Sequence, residues 1–187
     1  MTHFEVRDQH GTPTLFQDGR PTVAAIYLTV RNSPKQEWRG EPHMAEFRDA
    51  GFHFYSIHAP VNFDDAYDPA TRSFSPERLA PLEILRRYGE VDPQAKLLLR
   101  VTIEPRGDDS PWLRQHPDEC EIMEARAKGI YRTPSYASRA WLDDGCAFLR
   151  AFIRYLYDHD LDQYILGYLI CGGDSSEWVK VGPMEDW

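Results

Sequence analysis

The segment Cys171-Gly172-Gly173-Asp174-Ser175-Ser176-Glu177-Trp178 sets a carboxylate beside an indole, directly after the apolar run Gln163 to Cys171 (QYILGYLIC). Read as a strand, that run presents Glu177 near its C-terminal end. Apolar surroundings disfavour the charged form of a carboxyl and raise its pKa, while one open side still admits water. A glutamate so placed is suited to general acid work. The alternative is an exposed glutamate in a polar surface loop. Asp174 and Glu104 are the other acids placed at strand ends, and Glu104, followed by Pro105, reads better as a residue that orients a neighbour than as a nucleophile.

Other side chains could serve the same end of the molecule. Arg100 lies inside Ala95 to Thr102 (AKLLLRVT), and an arginine in an apolar run demands a partner: a catalytic carboxylate, a substrate hydroxyl or a structural ion pair. Arg31 and His58 close the first two apolar runs, each with a substrate-contact reading and a solvated or backbone-satisfied one. Trp112, Tyr136, Phe63 and Trp178 fall in loops, as flat platforms for a ligand or as packing for those loops. His43, His53, His58, His116, Glu104, Asp174 and Glu177 are metal-ligand types, but no HxH or HExxH spacing joins them, so no metal and no cofactor is expected. No GxSxG elbow or Cys-His pairing points to a serine or thiol nucleophile.

These residues need a scaffold. Thr22 to Val30, Phe52 to Ile57, Ala95 to Thr102 and Gln163 to Cys171 read as strands, the first buried on both faces. Between them, Glu41 to Ala50, Ser75 to about Tyr88, and Ser138 to about His159 read as helices. The last is the best: Trp141, Leu142, Gly145, Phe148, Leu149, Phe152, Ile153 and Leu156 form one apolar stripe behind the N-cap Ser138. Pro81 falls early enough in the second to be tolerated. Phe4 to Arg7 and Thr14 to Phe16 make a small hairpin, ended by the turn signal Asp18-Gly19.

Strands alternating with helices imply a parallel sheet with right-handed crossovers. Long polar and aromatic loops follow the strands, and the returns from helix to strand are short, which is the pattern of a barrel's catalytic face. The expected fold is α/β: a partial TIM barrel of about four βα units (21–187) behind an N-terminal β-hairpin (1–20), one domain over 1–187. A full barrel needs roughly 250 residues and eight strands. A homodimer, or a missing C-terminal half-barrel, is therefore the expected partner.

The segments TPTLFQDGRP, AGFHFYSIHAPV, KLLLRVTIEP with PWLRQHPDE, and ILGYLICGGDSSEW together resemble the N-terminal half of barrel glycoside hydrolases, nearest the β-galactosidase-like enzymes of the large retaining clan. The resemblance implies that Glu177 is the general acid/base just after strand four. It implies a carbohydrate substrate positioned by Arg100 and His58, with Trp112, Trp178 and Asp174 lining the sugar site. Ser176 stands where many members of the clan carry Asn. The clan's nucleophile is a second Glu after strand seven, which this chain does not reach. A retaining glycosidase needs two carboxyl groups about 5–5.5 Å apart. Two other readings stay open: a non-catalytic carbohydrate-binding or assembly module, and a metal-dependent sugar isomerase or amidohydrolase barrel.

Composition narrows the partners. With 21 basic and 30 acidic residues the net charge is −9, which repels phosphate backbones and argues against a general nucleic-acid binder. No apolar run reaches the 18 or so residues of a membrane span, and the N-terminus lacks a secretory pattern. The cysteines, three and far apart, form no disulfide framework, so a reducing cytoplasm is the expected location.

Overall fold

The computed structural model describes residues 3–23, 25–28, 44–125, 129–172 and 178. The chain opens with a hairpin of β1 (Phe4–Gln9) and β2 (Thr12–Gln17), extended by the short β3 (Arg20–Pro21). Both tight turns, His10-Gly11 and Asp18-Gly19, hold two successive residues at positive φ. That is the turn geometry whose twist suits a two-residue hairpin. The hairpin and its turn signal are as the sequence predicts.

Four strands then build one parallel sheet: β4 (Ile26–Leu28), β5 (Phe54–His58), β8 (Lys96–Thr102) and β11 (Ile165–Cys171). Their spatial order is β11-β8-β5-β4, so each new strand adds beside the one before it. The connections are α1 (Met44–Asp49) after β4; α2 (Phe63–Ala66), the ribbon of β6 (Tyr67–Asp68) and β7 (Ser73–Phe74), α3 (Pro76–Leu79) and α4 (Arg86–Val91) after β5; and α5 (Pro111–Gln115), the ribbon of β9 (Cys120–Ala125) and β10 (Gly129–Pro134), and α6 (Arg139–Asp158) after β8.

The core lies on one face of this sheet. Leu97, Leu99 and Val101 of β8 are fully buried there, and the alternate residues of the strand are half-buried on the other face. Phe47 of α1 packs on Tyr27 of β4 at 4.2 Å between ring centroids, and Phe152 of α6 meets Tyr168 of β11 at 6.5 Å. Ser138 caps α6 through its hydroxyl, which accepts the Trp141 N–H at 3.0 Å, and the expected stripe buries Trp141, Phe148, Phe152 and Leu156.

Two expectations need correction. The first strand is not buried on both faces: Ile26 and Leu28 are 40% and 60% exposed. Apolar content alone cannot tell a strand sealed by two layers from an edge strand sealed by one. The helix expected over Ser75 to Tyr88 is broken in two. Pro81 lacks an N–H and crowds the preceding turn, and Ala80–Leu85 tightens to a 3₁₀ stretch between α3 and α4.

Buried polar groups pin the N-terminal ends of the strands. The Asp92 carboxylate, fully buried, accepts hydrogen bonds from the Tyr55 hydroxyl at 2.8 Å, the Gln94 N–H at 3.0 Å and His53 Nδ1 at 2.9 Å. Burial and the Asp92 bond push the Tyr55 phenol well above its ordinary range. Burial likewise pushes Tyr168 up to about 12. A phenol whose folded-state pKa exceeds its unfolded value of 10.0 stabilises fully below pH 10 and loses that contribution as pH rises towards the folded value. Tyr168→Phe is therefore expected to blunt alkaline unfolding between about pH 10 and 12, read as a shallower fall of the unfolding midpoint with pH. Among the described residues no helix is long and apolar enough to cross a membrane.

Candidate functional site

Parallel strands deliver their C-terminal ends to one side of the sheet. There β5 ends at His58, paired in register with Arg100 of β8, and the Ala59 N–H donates to the Arg100 carbonyl at 2.9 Å. His58 and Arg100 therefore stand side by side on the face away from the helices, both half-buried. Next to β8, Cys171 closes β11 opposite Thr102. Burial pushes the Cys171 thiol up and the Arg100 guanidinium down, and each is partly offset by the other's field. The register thus brings together two residues that the sequence places only separately, each near a strand end.

Behind them a network ties the loops down. Glu104 is 4% exposed and accepts the Thr133 hydroxyl at 3.1 Å, with the Arg106 guanidinium forking onto its second oxygen at 3.2 and 3.3 Å. Asp64 of α2 accepts the Ser110 hydroxyl at 2.7 Å and the Arg106 backbone N–H at 2.9 Å, and burial pushes its carboxyl up. Arg106 thus joins the loop after β5 to the loop after β8. Glu104 is an orienting group, closed off from a substrate by its own partners. Glu104→Ala strands the Arg106 fork and the Thr133 hydroxyl, an expected loss of about 1–3 kcal/mol in urea unfolding.

The aromatic residues divide. Trp112 is fully buried; its indole N–H donates to Asp144 at 2.7 Å, its ring stacks on His116 at 4.4 Å, and it meets Phe63 edge-on at 6.4 Å. A ring enclosed on every side offers no face to a sugar, which corrects its expected place in the lining. Phe63 is buried in the same cluster. Trp178 and Tyr136 differ: they are 44% and 39% exposed. Trp178 leans on Trp141 at 6.2 Å and on Tyr136 at 5.8 Å. Its indole N–H donates to the Ile170 carbonyl at 2.7 Å and its backbone N–H to the Gly172 carbonyl at 2.8 Å. The Cys171 carbonyl bonds Ile103 across the β8 side, so by alternation that of Ile170 points to the side of β11 that, among the described residues, carries no strand. Trp178 folds back along that side. Gly172 makes room for it: a Cβ there would meet the indole at 2.9 Å.

Glu177, Asp174, Arg31 and His43 lie outside the described residues. Among the described residues no three His, Cys, Asp or Glu side chains gather as a metal-ligand group. Sequence reasoning missed Arg106, Asp64, Ser110 and Thr133. Only Ser110 carried a readable signal, since Ser-Pro is a helix start and its hydroxyl caps α5 by accepting the Leu113 N–H.

No family model matches the sequence, and no curated protein matches it. Among solved structures the chain is similar to a xylosidase from Aspergillus niger, with a TM-score of 0.38 and 13% identity, covering 83% of this chain and 22% of that one. A likeness of that size assigns neither a family nor an activity.

Proposed function

We propose that this chain is the first half of a (β/α)₈ barrel of β-galactosidase-like glycoside hydrolase type, with Glu177 as its acid/base. One observation supports this most: four parallel strands in sequential order carry their helical core on one face and set His58 and Arg100 side by side on the other, at the strands' C-terminal end. A singly wound sheet of this kind fits a sector of a barrel wall, and barrel enzymes work at that end. Glu177 is bonded to Trp178, which is anchored at the end of β11.

In this reading Glu177 gives its proton to the glycosidic oxygen as the anomeric C–O bond breaks, while a second carboxylate attacks the anomeric carbon. Glu177 then takes a proton from the water that cleaves the glycosyl ester. Arg100 and His58 hold sugar hydroxyls, Asp174 adds a further polar contact, and Trp178 with Tyr136 offers ring faces to the C–H side of the sugar. Glu104 is saturated by its neighbours, so the second carboxylate comes from whatever completes the open face. Further βα units in the same polypeptide, or a second copy of the chain, would supply that closure. The experiment is a leaving-group series of aryl β-galactosides on the completed protein, comparing wild type with Glu177→Gln. An equal loss across the series, or none, overturns the assignment of the acid.

A further inference from the structure

A cavity lies at the opposite end of the sheet, where the N-terminal hairpin docks. It has a volume of about 230 Å³ and is lined by Phe4 of β1, Lys96 at the start of β8, Tyr157 of α6, Asp162 and Gln163 of the 3₁₀ turn (Asp162–Tyr164) that follows, and Tyr168 of β11. Four residue steps along β8 separate Lys96 from Arg100, roughly 13 Å at the usual strand rise. The cavity is therefore distinct from the His58–Arg100 end.

Its walls are held from several directions. Phe4 packs edge-on against Phe54 at 5.8 Å, and Asp18 at the end of β2 exerts its field on Lys96. The Lys96 ammonium donates to the Gln163 carbonyl, and Tyr168 is braced by Phe152. Burial lowers the Lys96 pKa and raises that of Tyr168, so the phenol remains a hydroxyl at neutral pH.

We propose that this cavity binds a neutral polyhydroxylated ligand of about one sugar ring. Size comes first: it is smaller than the roughly 300–1,000 Å³ that holds drug-sized ligands. Charge comes next. Lys96 opposes a cation and Asp162 opposes an anion, so the lining favours a ligand without net charge. Hydrogen bonding narrows it further. The ammonium has donors beyond the one used on Gln163, the carboxylate accepts, and phenols and the amide do both. A ligand that meets them all carries several groups that donate and accept, which is what a ring of hydroxyls does. Phe4 and the tyrosine rings face its C–H surface.

The proposal stands whether or not the other end hydrolyses glycosides, and amide NMR reads the two ends apart. The ¹⁵N-labelled chain is titrated with galactose, xylose, galacturonate and galactosamine. Saturable shifts of the Gln163, Gly167 and Tyr168 amides are expected with a neutral sugar, and affinity about tenfold weaker for the acid and the amine. Lys96→Met and Tyr157→Ala should each weaken the neutral sugar by about tenfold; Tyr157 is 54% exposed, so its loss leaves the core intact. Shifts confined to His58, Ala59 and Arg100, tightest binding by the charged sugars, or unchanged affinity in both variants overturns it.

Discussion

Glu177→Gln is expected to slow hydrolysis of an unactivated β-galactoside by about 10²–10⁴-fold in the protein with its open face completed, the usual worth of a positioned general acid. The amide keeps the size of the side chain and removes the proton that the leaving oxygen needs. Aryl galactosides with good leaving groups need little protonation, so their loss should be far smaller. The 187-residue chain by itself is expected to show no detectable hydrolysis. Glu104 is spent on Arg106 and Thr133, which leaves Glu177 as the one carboxylate assigned to the chemistry, and without a nucleophile no glycosyl ester forms. Stopped assays with a graded set of leaving groups check both statements.

Trp112→Ala should destabilise the fold by about 3–5 kcal/mol, the range for truncating a large buried aromatic. The indole fills the space between α2, α5 and α6 beside Phe63, and its N–H is the donor to Asp144. Removing it opens a cavity and takes that donor from the carboxylate at once. A domain of this kind has about 5–15 kcal/mol in all, so the unfolding midpoint in urea should fall steeply. Trp178→Ala should leave the midpoint nearly unchanged, since its ring is 44% exposed. Sugar affinity should show the reverse order. Equal stability losses in the two variants would contradict the division of roles between them.

The parts of the fold that were legible are those that local rules govern. Ser138 and the stripe from Trp141 to Leu156 announce α6 because capping and a 3.6-residue period are properties of neighbours in sequence. Asp18-Gly19 announces its turn because few residues tolerate positive φ. What was not legible depends on distant partners. Leu28 is as apolar as Leu99, yet one is 60% exposed and the other is buried, because β4 is an edge strand of the sheet and β8 an interior one. Trp112 reads as a loop aromatic, yet it lies in α5 and is enclosed between α2 and α6. The site shows the same limit. His58 and Arg100 were readable as types at strand ends, whereas their adjacency follows from the register Phe54 to Lys96, which no sequence pattern states. The Asp64–Arg106–Glu104 links carry no periodic signal, being individual hydrogen bonds between and within loops.

The most direct measurement is an amide and indole NMR titration of this chain with an aryl β-galactoside, in wild type and Glu177→Gln. A sugar held at the C-terminal end of the sheet should shift the His58, Ala59 and Arg100 amides and the Trp178 indole together, saturably, with the affinity altered by Glu177→Gln. Stationary His58, Arg100 and Trp178 signals at saturating ligand would contradict the account.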